Sequence, residues 1–307
     1  MDEGFEQVCE DHPEDAIELV IRARPRDIGG FAVRRALPSM RRRLVGPFIF
    51  FDHMGPADLP AGGGMDVRPH PHIALATITY LLDGVVFHRD SLGTAMAIRP
   101  GDVNWMIAGK GIVHSERTPP EARATGHRSH GLQAWVALRK EEEEIEPRFV
   151  HHPASSLPRI ERQGVEVRLI SGRAFGQEAP TPTLTPTIYA DAKIAAGAVL
   201  EIPDGYEQRA AYVVSGSIEC GDTASCARAD EGTMLVFRPG ARARVRATTD
   251  ARVMVLGGAP IDGERFIWWN FVSSSKERLE RAKLDWKEGR FPKVPGDEAE
   301  HIPLPER

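Results

Sequence analysis

Cysteine is scarce in this 307-residue chain: Cys9, Cys220 and Cys226 are an odd count with no zinc-like spacing. Such a set excludes a disulfide framework and suits a reducing compartment. Long apolar runs are missing as well. No stretch approaches the roughly 18 uninterrupted apolar residues of a spanning helix, so no membrane span is expected. The opening Met1-Asp2-Glu3-Gly4-Phe5-Glu6 is acidic and does not read as a secretory signal, which makes the cytoplasm the expected location. Nor is positive charge in excess: 39 Lys and Arg against 44 Asp and Glu argue against direct binding of nucleic acid. One stretch dissents, with Arg22, Arg24, Arg26, Arg34, Arg35, Arg41, Arg42 and Arg43 crowded together. They are read as strand edges kept charged against aggregation.

What the chain does have is turn formers, 29 Gly and 24 Pro, which favour short strands over helices. Strand-like segments follow one another: 17–26, 44–52, 74–82, 84–89, 94–98, 102–107 and 131–138. Asp83-Gly84, Pro100-Gly101 and Gly109-Lys110-Gly111 mark turns between them. This spacing predicts an all-β sandwich or barrel. A second strand-rich stretch, 165–258, follows and copies the first. Tyr80 and Gly84 recur as Tyr212 and Gly216, both 132 residues further on, and Gly101 is echoed by Gly232 one residue out of register. The repeat implies two domains of one architecture, expected over 1–150 and 151–272. The run Glu141–Glu144 between them reads as a solvated edge or interdomain segment. From Ser273 to Lys287 the spacing is helical, capped by the serines and closed by Gly289 and Pro292. The remainder of 273–307 is expected to drape over the surface as a polar tail.

The chemistry concentrates in two short motifs, His70-Pro71-His72 and His114-Ser115-Glu116. Residues two apart on a strand face the same way, so two neighbouring strands can bring three imidazoles and a carboxylate together inside a barrel. Four such ligands suit a first-row transition metal and leave positions open for substrate or dioxygen. Pro71 is tolerable at a strand edge, and Gly109 and Gly111 allow the turn leading to His114. Gln133 is a candidate to support the ligands, and Glu116 to serve as ligand or base. His53, His88 and His130 read as structural or surface residues. Residues 132 beyond His70 and His72 are Ile202 and Asp204, so the second copy cannot build the same site.

The string from His70 to Glu116 resembles the pirin family, a branch of the bicupins. The resemblance rests on Phe51-Asp52-His53-Met54-Gly55-Pro56, His70-Pro71-His72, His88-Arg89-Asp90-Ser91-Leu92-Gly93 and Pro100-Gly101-Asp102. It continues through Trp105-Met106, Ala108-Gly109, Gly111-Ile112-Val113-His114-Ser115-Glu116 and Gly131-Leu132-Gln133. It implies two tandem cupin-type β-barrels with a short C-terminal helix, the second barrel metal-free. It also implies an iron site formed by His70, His72, His114 and Glu116. Some relatives open flavonol rings with dioxygen, and a eukaryotic one is a transcriptional co-regulator. One departure stands out. The usual Arg-Gly-Phe-Glu-Thr after the second histidine is here Ile73-Ala74-Leu75-Ala76-Thr77, which is expected to leave the pocket more apolar. The expected function is therefore an Fe(II)-dependent dioxygenase acting on a flavonol or other aromatic or enediol substrate with dioxygen, catalytic at Glu116. Mn, Co, Ni, Cu or Zn also fit the donor set. The competing expectation is a metal- or redox-dependent regulator with a protein partner, and a monomer is expected in either case.

Overall fold

The computed structural model describes residues 9–11, 16–28, 31–221 and 227–306. The acidic N-terminus, His12 and Cys226 lie outside them. Strand makes up 52% of the structure and helix 8%, so the chain is all-β with two cupin domains, as expected. The principal helix is Lys276–Lys287. Its N-cap is Ser275, whose Oγ accepts the Arg278 N–H at 3.1 Å and so satisfies one of the orphan donors of the first turn. A short helix, Pro120–Thr125, starts on a proline, which needs no amide partner at that position. The turn signals do not announce it.

Two compact units divide the chain, and neither is continuous. One comprises Asp27–Ala32, Met54–Ala154 and Ile261–Arg307; the other comprises Met1–Arg26, Val33–His53 and Ser155–Pro260. This differs from consecutive blocks ending at residues 150 and 272. Strand Ile17–Arg22 belongs with the second copy, paired antiparallel with Thr233–Phe237. Ile17, Leu19 and Ile21 alternate with Glu18, Val20 and Arg22, and such periodicity cannot say which sheet the strand completes.

Within each unit the same strand order recurs. In the unit built on Met54–Ala154, the strands Arg148–His152, Val103–Ile107, Leu75–Asp83 and His127–Ala137 stand side by side. Facing strands run in the order Asp66–His72, Ile112–Arg117, Val86–Asp90 and Ala95–Ile98. In the other unit, Ile17–Arg22, Thr233–Phe237, Gln208–Ser215 and Ala251–Gly258 repeat the first row, and Thr187–Ile194, Val165–Ser171 and Arg159–Arg162 extend it. Val199–Glu201, Arg244–Ala247, Ser217–Cys220 and Ala227–Asp230 repeat the second. The equivalence reaches single residues. Tyr80 and Tyr212 are both fully buried. Gly84 and Gly216 sit at φ +85° and +77°, and a Cβ at either would come within 2.3 Å or less of a carbonyl oxygen, of Arg128 or Asp250. Glycine is required twice for one reason.

The charge run between the copies is not uniformly solvated. Glu143 is buried and pairs with the equally buried Arg265 at 2.9 Å. Its carboxylate also accepts from the Ser273 hydroxyl and from the Ser274 amide and hydroxyl. Arg265 in turn donates to the Leu138 carbonyl at 2.8 Å. One buried anion thus anchors the start of the C-terminal segment to the end of the first repeat, correcting the solvated-edge reading at this position. Glu144, one residue on, is exposed and, among the described residues, meets only Arg278. Glu143→Ala removes the buried one of two carboxylates on Arg265, which also pairs with Asp262, and strands the Ser273 and Ser274 donors; it should cost about 2 kcal/mol of unfolding free energy in urea. Glu144→Ala should cost less than about 0.5 kcal/mol, and equal effects would refute the anchor.

Candidate metal centre

Strand Asp66–His72 pairs antiparallel with Ile112–Arg117, in a register that sets His70 opposite His114 and His72 opposite Ile112. Because alternate residues share a face, His70, His72, His114 and Glu116 all enter one buried interior. His70, His72 and His114 each place a ring nitrogen within 4.8 Å of the other two. The facing Nε2 atoms of His72 and His114 are 3.1 Å apart. Glu116 groups within the same distance of His114 and His88, rather than with all three predicted imidazoles.

Proton positions follow from the partners. His70 Nδ1 donates to the Arg68 carbonyl at 2.9 Å, and His72 Nδ1 to the Asn270 carbonyl at 3.1 Å. A carbonyl can only accept, so both Nε2 atoms carry lone pairs. Burial pushes the pKa of His70 down to about 4 and those of His72 and His114 well below the ordinary imidazole value. His114 Nε2 faces the His72 lone pair at 3.1 Å, a contact in which either a proton on His114 or a bound cation can lie between the two nitrogens. His114 Nδ1 is buried without a hydrogen-bond partner. A shared cation resolves this crowding, so these residues fit a metal. Glu116 is pushed above the usual carboxylate range by burial, partly offset by the charge of His88 and a hydrogen bond from Thr79. The Thr79 hydroxyl lies 2.9 Å from Glu116 Oε1 and 2.8 Å from the Gln133 side-chain amide. Gln133 therefore reaches the ligands through Thr79.

His88 is the residue missed in the sequence. It is buried opposite Glu116, with Nε2 3.1 Å from Asp90 Oδ2, and its ring stacks on Phe149. Asp90 is itself held by the Leu92 and Thr94 amides. The signal was present, since His88-Arg89-Asp90 has the same two-residue spacing as the ligand motifs. The expectation for His53 agrees with a buried contact to the Tyr212 hydroxyl at 3.0 Å.

The tail is part of the site's frame. Ile302 N–H donates to the Pro69 carbonyl on the strand that carries His70, and Trp286 Nε1 donates to the Ile302 carbonyl. Arg117, next to Glu116 in sequence, makes two bonds to Asp297 at 2.6 and 2.8 Å. The Ile73–Thr77 departure acts here as well. Ile73 packs with Phe271, Leu279 and Ala282 beneath the C-terminal aromatics. Ala76 lies on the strand face opposite Thr79. In this segment Ile73 thus serves the docking of the C-terminal segment, while Leu75 and Thr77 share the face of Thr79.

Two barrels of cupin type, one holding a buried cluster of imidazoles and a carboxylate, define a bicupin with a candidate metal centre in its first barrel. Residues 30–136 match the family model described as pirin, and 189–292 that of the pirin C-terminal cupin domain. A pirin-like protein of Caulobacter vibrioides is 48% identical over 94% of this chain and 100% of its own length. A Pseudomonas aeruginosa protein, provisionally named quercetin 2,3-dioxygenase, is 38% identical over 97% of this chain and 92% of its own. The crystal structure of quercetin 2,3-dioxygenase from Acinetobacter baumannii matches with a TM-score of 0.85 and 32% identity, covering 94% of this chain and 96% of that one. The chain belongs to the pirin family.

Burial alone would raise the pKa of Asp297, but the bonds and charge of Arg117 outweigh it and hold the carboxyl below its usual range. The contact therefore stabilises the tail above the unfolded carboxyl pKa, near 4, and is lost as pH falls through the lower folded value. Asp297→Asn at neutral pH should speed hydrogen exchange of the Ile302 amide about tenfold, matching a half-buried ion pair worth about 1.4 kcal/mol. Unchanged exchange would show that the pair does not hold the tail.

Proposed function

We propose that the protein is a metal-dependent dioxygenase that opens flavonol or enediol-type substrates, with His70, His72, His114 and Glu116 as ligands and iron(II) as the metal. The observation that carries this reading is the convergence of neutral imidazole nitrogens on one buried point, with a carboxylate beside them. The relatives named for quercetin dioxygenation support the substrate class. A metal bound there would supply Lewis-acid and redox chemistry toward an enolic oxygen and dioxygen.

The remaining work belongs to the chain. The Arg68 and Asn270 carbonyls fix the tautomers of His70 and His72, so each offers Nε2. Glu116 accepts the proton of the substrate's enolic hydroxyl at a carboxylate oxygen. Burial raises its basicity toward such a group, while the Thr79 hydroxyl fixes its orientation. Trp135 packs edge-on against His72, and Phe149 covers His88, so the reacting region is walled by aromatic carbon.

A second reading, a metal-dependent regulator, draws on the Asn270 contact. Through it, occupancy at His72 would be felt by the C-terminal segment. Aerobic incubation of iron-loaded protein with quercetin separates the two readings. The enzyme should bleach the flavonol band and release carbon monoxide in step. Absence of turnover over a panel of flavonols and enediols would reject it. Glu116→Gln should lower turnover at least about 100-fold, the typical contribution of a positioned base. Cobalt(II) titration, read by visible absorption, should saturate in the parent and vanish in His72→Ala. A signal that survives in the variant would move the metal elsewhere.

A further inference from the structure

The second barrel has no metal cluster among its described residues, yet it holds a cavity of its own of about 460 Å³. It opens where strand Arg159–Arg162 at the end of one sheet approaches Val199–Glu201 at the end of the other. The volume falls in the range of small-molecule sites. Val165, Val167 and Leu200 give it an apolar floor, and Phe175 stands over them.

One feature of the rim is costly for the fold alone. Strand pairs Arg162↔Val165 and Ala174↔Gln177 are each closed by a two-residue loop, Gln163-Gly164 and Phe175-Gly176. Both loops run through positive φ twice, at +45° and +81° in the first and at +54° and +76° in the second. Asn-Gly or Gly-Gly is the pair such turns favour. Gln163 and Phe175 occupy the first position instead, where a left-handed conformation is unfavourable for an L-residue. Both line this cavity. Strain retained twice around one opening points to use of the side chains rather than of the turns. Charge supplies the other half. Arg244 is paired with Glu201, but the Arg162 side chain makes no ion pair or hydrogen bond among the described residues.

We propose that the second barrel binds an apolar monocarboxylate, its hydrocarbon part on Val165, Val167, Leu200 and Phe175 and its carboxylate on Arg162. The assignment does not rest on the metal centre. Calorimetry on the full chain, treated with chelator, with naphthalene-2-carboxylate and octanoate as probes and 2-naphthalenemethanol as the uncharged control, tests it. Saturable binding of either acid is expected, the preferred probe identifying an aryl or an alkyl ligand. The alcohol should bind at least about tenfold more weakly, as loss of a charge-assisted contact predicts. Arg162→Gln, a change on an exposed strand, should weaken the acid about tenfold, and Phe175→Ala should weaken it while leaving the melting temperature within a few degrees. The proposal is overturned if neither acid binds, if the alcohol binds as tightly as the acid, or if both variants bind like the parent.

Discussion

One register depends on everything around it and everything chemical depends on it: His70 opposite His114 on antiparallel strands. A slip of one residue would turn both histidines of the first motif outward, because side chains alternate across a strand. The pairing gathers imidazoles whose Nδ1 atoms, in His70 and His72, are spent on backbone carbonyls, leaving the Nε2 atoms to face the buried interior. A proton or a bound cation between the facing nitrogens makes such a cluster favourable.

The C-terminal segment is how the unit keeps that register in place. Strand Asp66–His72 is an edge strand, and prolines 69 and 71 lack the amides that would pair it further. Its free side is occupied instead by the chain's end, through the Ile302 amide, the Asn270 carbonyl and the packing of Ile73 under Phe271. The Glu143–Arg265 pair fixes where that segment begins. The edge equivalent to this one in the second barrel, Val199–Glu201, is where the cavity opens. The same architecture thus presents a covered seam over a polar cluster in one copy and an open seam over an apolar floor in the other.

Much of this was legible in the residues. Two-residue spacing identified His70, His72, His114 and Glu116 as sharing an interior, and the 132-residue repeat foretold both barrels and the histidine-poor second one. His88 was not legible, because spacing says which residues share a face of one strand but not which strand lies beside it. Glu143 hid in a charge run, where burial of one member leaves no trace in composition. The first strand and the tail escaped assignment for a related reason. Apolar alternation shows that Ile17–Arg22 is buried, and aromatic content that Trp268, Trp269 and Trp286 are packed, but neither names the partner. Long-range pairing is a property of the folded chain.

The central claim is that the convergent nitrogens of the first barrel hold one metal ion. Anomalous diffraction at the iron edge, from crystals of the iron(II)-loaded protein, tests it most directly. A single peak at bonding distance from His70 Nε2, His72 Nε2 and His114 is the predicted result. A peak elsewhere, or none with the three imidazoles still facing one another, would contradict it.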